Sequence, residues 1–226
     1  MDAMILAAGR GERLRPITDR IPKPLVMVGH HKLIEYHIRR LAQQSFDRVV
    51  INTSYLGEQI VQAIGDGGHY GIEIVYSSEQ NALETGGGIR QALPLLRSDT
   101  FLVINGDIYT DHPFSQHVLP DQENIHLVMV ENPPHNLQGD FALDNQRLID
   151  HQPHSPKKLT FSGIGYYRRS VFASLKPGKF PLAPIIRSHI QSNTASGEQH
   201  LGIWLDVGTK ERLARANDIA QRHAGN

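Results

Sequence analysis

The chain has 226 residues, 39% of them hydrophobic, with 23 basic and 23 acidic side chains and no cysteine. The length suits one domain with a sizeable core, and a zero formal charge excludes broad nucleic-acid or anionic-membrane binding. The missing cysteines exclude disulfides, thiolate metal sites and a cysteine nucleophile, and they suit a reducing cytoplasm.

The first predicted strand is AMILAA, Ala3–Ala8. The segment up to Ala8 is too short for a signal-peptide core, and no apolar stretch approaches the ~20 residues of a membrane span. The loop that follows, AAGRGERLRPITDRIPKPL (7–25), concentrates rigid positive charge. Gly9 and Gly11 allow a tight turn and a close backbone approach to an anion. Arg10, Arg13 and Arg15 offer forked donors for phosphate oxygens, and Pro22 and Pro24 stiffen the path on either side of Lys23. Together these residues read as a polyphosphate cradle, the alternative being a solvated basic turn. No Gly-Lys-Ser/Thr follows, so this is not a P-loop. Leu14 stands where a dinucleotide fingerprint needs its third glycine.

Further along, apolar spacing predicts a helix over 33–44, a strand at 48–52, a helix stopping at Gly65 and a strand at 72–76. In EQNALETGGGI, Gly86–Gly88 open a helix whose bare N-terminus can receive a flat base or an anion; a flexible turn is the alternative. FLVING (101–106) is continuously apolar, which predicts a strand buried on both faces. The βαβαβαβ order implies an α/β fold with a doubly wound, mostly parallel sheet. Beyond Asp107 the pattern predicts strands at 125–130 and 160–169 and a hairpin near 141–148. A helix follows within 181–192, then a strand at 201–205 and a last helix capped by Thr209. These late strands are expected to extend the same sheet and add a small substrate-facing lobe.

Asp107 leaves the buried strand VING and Asp206 leaves WL. Either alone is commonly a turn residue or a helix cap. As a pair at the carboxyl edge of one sheet, beside a phosphate cradle, they read as oxygen ligands for Mg²⁺. His30–His31 and the pair His151/His154 lack a helical ligand register and read as surface residues, not a zinc site.

LAAGRGERLRP…PKPL, INGD and WLDVGT resemble the sugar 1-phosphate nucleotidylyltransferases over residues 3–213. Within that family LETGGGI, GDF and TFSGI look most similar to bacterial N-acetylmuramate 1-phosphate uridylyltransferases, which serve peptidoglycan recycling. The resemblance implies a Rossmann-like nucleotidyltransferase fold in one domain, 1–226. Residues 1–107 would form its nucleotide half and 108–226 its sugar-phosphate half, without the C-terminal β-helix of many relatives.

The same resemblance implies the site. Ala8, Gly9, Gly11 and Arg13 would hold nucleotide phosphates, and Glu79, Gly86, Gly87 and Asn105 would lie at the nucleoside. Lys23, with Arg13 the expected catalytic group, would contact the α-phosphate and the sugar phosphate. Gly139, Asp140, Ser162 and Gly163 would face the sugar, and Asp107 and Asp206 would hold Mg²⁺. A carboxylate at Glu79 suits guanine better than uracil. The uridylyl reading therefore turns Glu79 aside, or bridges it by water, and lets the backbone of 82–87 read the base. Lys157 or Lys158 could meet the lactyl carboxylate of a muramic sugar.

The chemistry agrees. A sugar 1-phosphate oxygen would attack the α-phosphorus of a nucleoside triphosphate, UTP by resemblance, and pyrophosphate would leave. A phosphate monoester with a second pKa of ~6 is already anionic, so no general base is needed and positioning is the whole task. The partners are thus a nucleoside triphosphate and a sugar 1-phosphate, handled by a cytoplasmic monomer or small homo-oligomer. The alternatives are mannose 1-phosphate with GTP, phosphocholine with CTP, a non-catalytic nucleotide-binding module, and a nicotinamide dehydrogenase. Leu14 argues against the last of these.

Overall fold

The computed structural model describes residues 1–117, 119–150 and 156–224; His151 and His154 lie outside them, while His30 is exposed and His31 half-buried. The strands and helices run β1 (Asp2–Leu6), β2 (Met27–Val28), β3 (His31–Lys32), α1 (Leu33–Gln43), β4 (Arg48–Thr53), α2 (Gly57–Ile64), β5 (Glu73–Ser78), α3 (Glu84–Ala92) and β6 (Thr100–Asn105). The second half continues β7 (Ile108–Thr110), β8 (Ile125–Val130), β9 (Phe141–Asp144), β10 (Arg147–Ile149), β11 (Lys158–Arg168), α4 (Ser170–Ala173), α5 (Ala183–Gln191), β12 (Ala195–Gln199), β13 (Trp204–Asp206) and α6 (Lys210–Ala224). Among these residues no helix is long and apolar enough to cross a membrane.

Nine strands form one sheet in the order β5-β4-β1-β6-β11-β8-β12-β10-β9. The first four are parallel, as the alternation of strands and helices requires. Beyond β6 the sheet becomes mixed: β11 runs antiparallel to β6 and β8, and β12 lies parallel to β8. Among the described residues the chain between β8 and β11 supplies the β9–β10 hairpin and no crossover helix, so its strands return antiparallel. The parallel, doubly wound expectation thus describes the half up to Asn105.

The late strands divide. β8, β9, β10 and β11 extend the sheet as expected, and so does β12, whose sequence ASGEQ has no apolar pattern. The strand expected at 201–205 is shifted to Trp204–Asp206 and does not join it. β13 pairs antiparallel with β7 in a separate ribbon that sets Asp206 opposite Ile108.

Side chains of the central strands alternate between two cores. Ala3 and Ile5 of β1, Val49 and Ile51 of β4 and Leu102 and Ile104 of β6 enter one with Ile34, Ile38 and Leu41 of α1. Met4, Val50, Phe101 and Val103 enter the other with Ile89 of α3 and Ile186 of α5. Period-2 alternation between two apolar layers is what continuous apolar strands need. A third cluster, Val28, Leu33, Tyr109, Leu205, Val207, Ala216 and Ala220, clamps the β7–β13 ribbon and α6 onto the first half. Burying one such large apolar side chain contributes about 1.5–3 kcal/mol, enough to fix the strand that carries Asp206.

Candidate active site

The loop after β1 is anchored by a buried leucine. Leu14 is fully buried, and short 3-10 turns at Glu12–Leu14, Ile17–Asp19 and Lys23–Leu25 fold the loop around it. Leu14 is therefore the anchor of the cradle as well as the residue that breaks the dinucleotide fingerprint. Gly11 has φ +67°, a left-handed conformation, and a Cβ there would lie 3.1 Å from Lys23 Cβ. Gly11 thus makes room for the lysine stem, while the Thr18 hydroxyl donates to its carbonyl at 2.8 Å.

Lys23 is buried, and its Nζ donates to Asp107 Oδ2 at 2.6 Å and lies 3.9 Å from Asp206 Oδ1. The two aspartates meet because the Val207 N–H donates to the Asp107 carbonyl at 2.8 Å, continuing the β7–β13 pairing. Asp206 Oδ2 accepts from Arg212 Nη1 at 2.8 Å and lies 3.5 Å from His135 Nε2 and 3.9 Å from Arg13 Nη2. Burial, followed by the Arg212 charge, pushes the His135 pKa down. Asp206 Oδ1 is buried and has no hydrogen-bond partner among the described residues.

A buried unpaired carboxylate oxygen is costly, and a cation beside it would satisfy it. Asp107 and Asp206 offer hard oxygen ligands that fit Mg²⁺. Among the described residues no group of three or more His, Asp or Glu side chains is set to hold a metal. An ion here would use two carboxylates and complete its shell with water and phosphate oxygens, as Mg²⁺ does.

Gly208 follows for a spatial reason. A Cβ at this position would lie 2.4 Å from Arg212 Nη2, 2.7 Å from Asp206 Oδ1 and 2.9 Å from Arg13 Nη2. Gly208→Ala is expected to displace these mobile side-chain ends, leaving thermal stability close to the parent and lowering turnover by ~10–100-fold. Melting and steady-state rates on one preparation check it; parental turnover would show that the convergence does not matter.

Two cavities adjoin this cluster. The first, about 260 Å³, is lined by Ala8, Gly9, Lys23, Asn105 and Asp107, with Asn52, Glu79, Ala82, Glu84 and Thr85. The second, about 750 Å³, is lined by Arg13, Asn132, His135, Trp204, Arg212 and Arg215, among others. Asp206 joins them, since Lys23 on one side and Arg13 and Arg212 on the other all lie within 3.9 Å of its carboxylate.

Several expected residues sit elsewhere. Arg10 stacks over the Tyr55 ring at 5.0 Å and Arg15 pairs with Asp19 at 3.2 Å, whereas Arg13 reaches Asp206. Gly86 and Gly87 do not line the cavity. A Cβ on Gly86 would lie 2.6 Å from the Phe180 ring and one on Gly87 2.2 Å from the Gly178 carbonyl, and Gly87 N–H donates to the Phe180 carbonyl at 3.1 Å. These glycines pack α3 against the chain at 178–180, and Ala82, Glu84 and Thr85 face the cavity instead. Both Glu79 oxygens are engaged, by Asn52 Nδ2 at 2.7 Å and by the Leu83 N–H at 3.0 Å. Asn52 Oδ1 in turn accepts from the Ala7 N–H at 2.7 Å, which makes the pair a brace for the strand ends.

On the expected sugar side, Asp140 accepts from the Phe161 N–H at 2.8 Å, and a Cβ on Gly139 would lie 2.9 Å from the Leu159 carbonyl. Both are built into the start of β11, and neither lines either cavity. Ser162 and Gly163 form a bulge in β11, where the register with β8 breaks between Phe161 and Ile164. Gly163, at φ +82°, lets Asn105 approach to where a Cβ would be 2.4 Å from its Nδ2, and the Ser162 carbonyl accepts from Trp204 Nε1 at 2.9 Å. They therefore support Asn105 and Trp204 from behind. Lys157 is exposed and Lys158 begins β11; neither lines either of these two cavities. Arg212 and Arg215, His135 and Asn52 were not singled out by the sequence. The available signal was the i, i+3 arginine pair directly after LDVGT.

The profile of the family described as nucleotidyl transferase matches residues 2–223. The chain belongs to the nucleotidyl transferase family. This nucleotidyl transferase is 48% identical over 97% of its length to the N-acetylmuramate alpha-1-phosphate uridylyltransferase of Neisseria meningitidis serogroup B, covering 98% of that protein. It is 35% identical over 96% of its length to the mannose-1-phosphate guanylyltransferase of Mycobacterium tuberculosis, of which it spans 64%. A crystal structure of a candidate glucose-1-phosphate thymidylyltransferase from Bacillus anthracis superimposes with a TM-score of 0.85 at 25% identity, covering 98% of this chain and 95% of that one. The Rossmann-like nucleotidyltransferase fold is thus shared from end to end.

Proposed function

We propose that this nucleotidyl transferase moves the uridylyl group of UTP to the phosphate of N-acetylmuramate 1-phosphate, releasing pyrophosphate, in the cytoplasmic recycling of peptidoglycan sugars. The observation that carries the reaction class is the buried Lys23 ammonium, 2.6 Å from Asp107 and 3.9 Å from Asp206, where the two cavities adjoin. The base and sugar are supported by the name of the Neisseria relative, which the chain matches over 98% of that protein's length.

In this reading one domain places the nucleotide in the cavity of its first half and the sugar phosphate toward the second. Ala8, Gly9 and Asn105 border the nucleotide, Lys23 draws the α-phosphate and the attacking phosphate together, and Arg13 faces the departing charge. Asp107 and Asp206 would hold Mg²⁺, which when bound supplies Lewis-acid neutralisation of phosphate charge. The sugar phosphate attacks as the anion it already is, so no side chain serves as base. The task is to bring two polyanions into contact in a site that does not reorganise.

Guanylyl transfer to mannose 1-phosphate is the second reading, favoured by the Mycobacterium relative. Each Glu79 oxygen already accepts one hydrogen bond, from Asn52 or from the Leu83 N–H, so the carboxylate is less free to take both donors of guanine. The test is kcat/KM for UTP and GTP, each with muramic, glucosamine and mannose 1-phosphates. UTP with the muramic substrate should lead, and a site built on buried hydrogen bonds discriminates by as much as ~10⁴. Preference for GTP with mannose 1-phosphate would overturn the substrate and leave the reaction class standing. Nucleotide binding without pyrophosphate release from any pair would overturn both.

A further inference from the structure

We infer that Arg215 reads the lactyl carboxylate of the muramic sugar and thereby selects it over hexose 1-phosphates that lack this second anion. The inference rests on the substrate proposed above.

The argument is one of charge and register. Three guanidinium groups line the larger cavity: Arg13, Arg212 and Arg215. Two already face a carboxylate, since Arg212 donates to Asp206 at 2.8 Å and Arg13 lies 3.9 Å from it. His200, on the same wall, is turned to Asp111 at 2.9 Å. Arg215 is exposed to the cavity and has no hydrogen bond or ion pair among the described residues. Glu131 also lines the cavity and stays beyond ion-pair distance of it. The cavity therefore holds one guanidinium in excess of what the protein itself engages.

Its placement fits a second anion on the same ligand. Arg212 and Arg215 are i and i+3 on α6 and share one face. Three residues displace Arg215 by about 4.5 Å along the axis from the arginine that holds Asp206. A muramic 1-phosphate carries its phosphate on C1 and its carboxylate on the O3 ether, so one molecule presents two separated anions. With the phosphate at Lys23 and Asp206, the carboxylate meets a guanidinium carried by a fixed helix, because Ala216 and Ala220 seat α6 in the apolar cluster behind it. A planar guanidinium matches a carboxylate through two parallel hydrogen bonds. Glucosamine and mannose 1-phosphates bring no carboxylate to that place. Lys157 and Lys158, the residues the sequence suggested for this task, do not line the cavity.

The experiment compares kcat/KM for N-acetylmuramate 1-phosphate and for the methyl ester of its lactyl group, in the parent, Arg215→Ala and Arg215→Lys. The parent should favour the free acid. A charge-assisted pair to a carboxylate predicts that Arg215→Ala lowers the acid-to-ester ratio by ~10–100-fold, with the loss in KM, and that Lys restores part of it. Arg215 is exposed, so the melting temperatures should agree. A parent without preference for the acid, an unchanged ratio in Arg215→Ala, or an equal loss on both compounds would overturn the inference while the substrate assignment stands. Turnover of another sugar phosphate and of neither muramic compound would instead overturn the substrate assignment, and this inference with it.

Discussion

Lys23→Met is expected to lower turnover by about 10²–10³ while the protein remains folded, the loss typical of one preorganised donor. Methionine keeps the stem that packs beside Gly11 and removes only the ammonium. Asp107, whose side chain is 36% exposed, can take water in place of Nζ, so the fold has no reason to fail. The defect belongs to the chemical step. Two phosphates repel until a fixed charge stands between them, and Lys23 is the buried cation within reach of both aspartates. The loss should therefore fall mainly on kcat, with melting and circular dichroism like the parent's. Near-parental turnover in such a folded variant would remove Lys23 from the reaction.

Asp206→Asn is expected to cost at least ~10² in turnover and to raise the Mg²⁺ concentration needed for half-maximal rate, with Asp107→Asn in the same direction. The physical basis is the same for both, since a charged hard ligand becomes neutral. At Asp206 there is a second effect. Its carboxylate is what Lys23, Arg13 and Arg212 face, so the neutral amide leaves cations unmatched at the junction of the cavities. A chelator should abolish activity in the parent and Mg²⁺ should restore it. If both variants titrate with Mg²⁺ as the parent does, the aspartates only position the neighbouring cations and the metal reading fails.

The parts of the site that were legible in the sequence are those whose chemistry is local. Lys23 between two prolines, and an aspartate at the exit of each of two apolar strands, declare a charge at a strand end, and the fold brings these three together. The doubly wound half was equally plain because its strands are apolar on both faces and its helices have a regular period. What was hidden depends on distant packing. β12 is a strand because β8 and β10 flank it, and its own residues, ASGEQ, carry no such pattern. The glycines of LETGGGI look like a ligand platform in one dimension; only the approach of Phe180 and the 178–180 chain shows that they are there for packing. Asp140, expected at the sugar, also brackets β11 through the Phe161 N–H. His37, His112 and His126 are buried, at 1%, 5% and 6% exposure, on α1, just after β7 and on β8. The larger cavity, finally, is made from segments some seventy residues apart, around 130–135 and 200–215, and no single stretch announces it.

The most direct test of the account follows the α-phosphorus. UTP labelled there is mixed with the enzyme, Mg²⁺ and N-acetylmuramate 1-phosphate, and the label and the released pyrophosphate are counted together. A site that only aligns two anions predicts one labelled UDP-sugar for each pyrophosphate and no label on the protein at any time. Label retained on the protein, or released as UMP in step with pyrophosphate, would contradict direct transfer to the sugar phosphate.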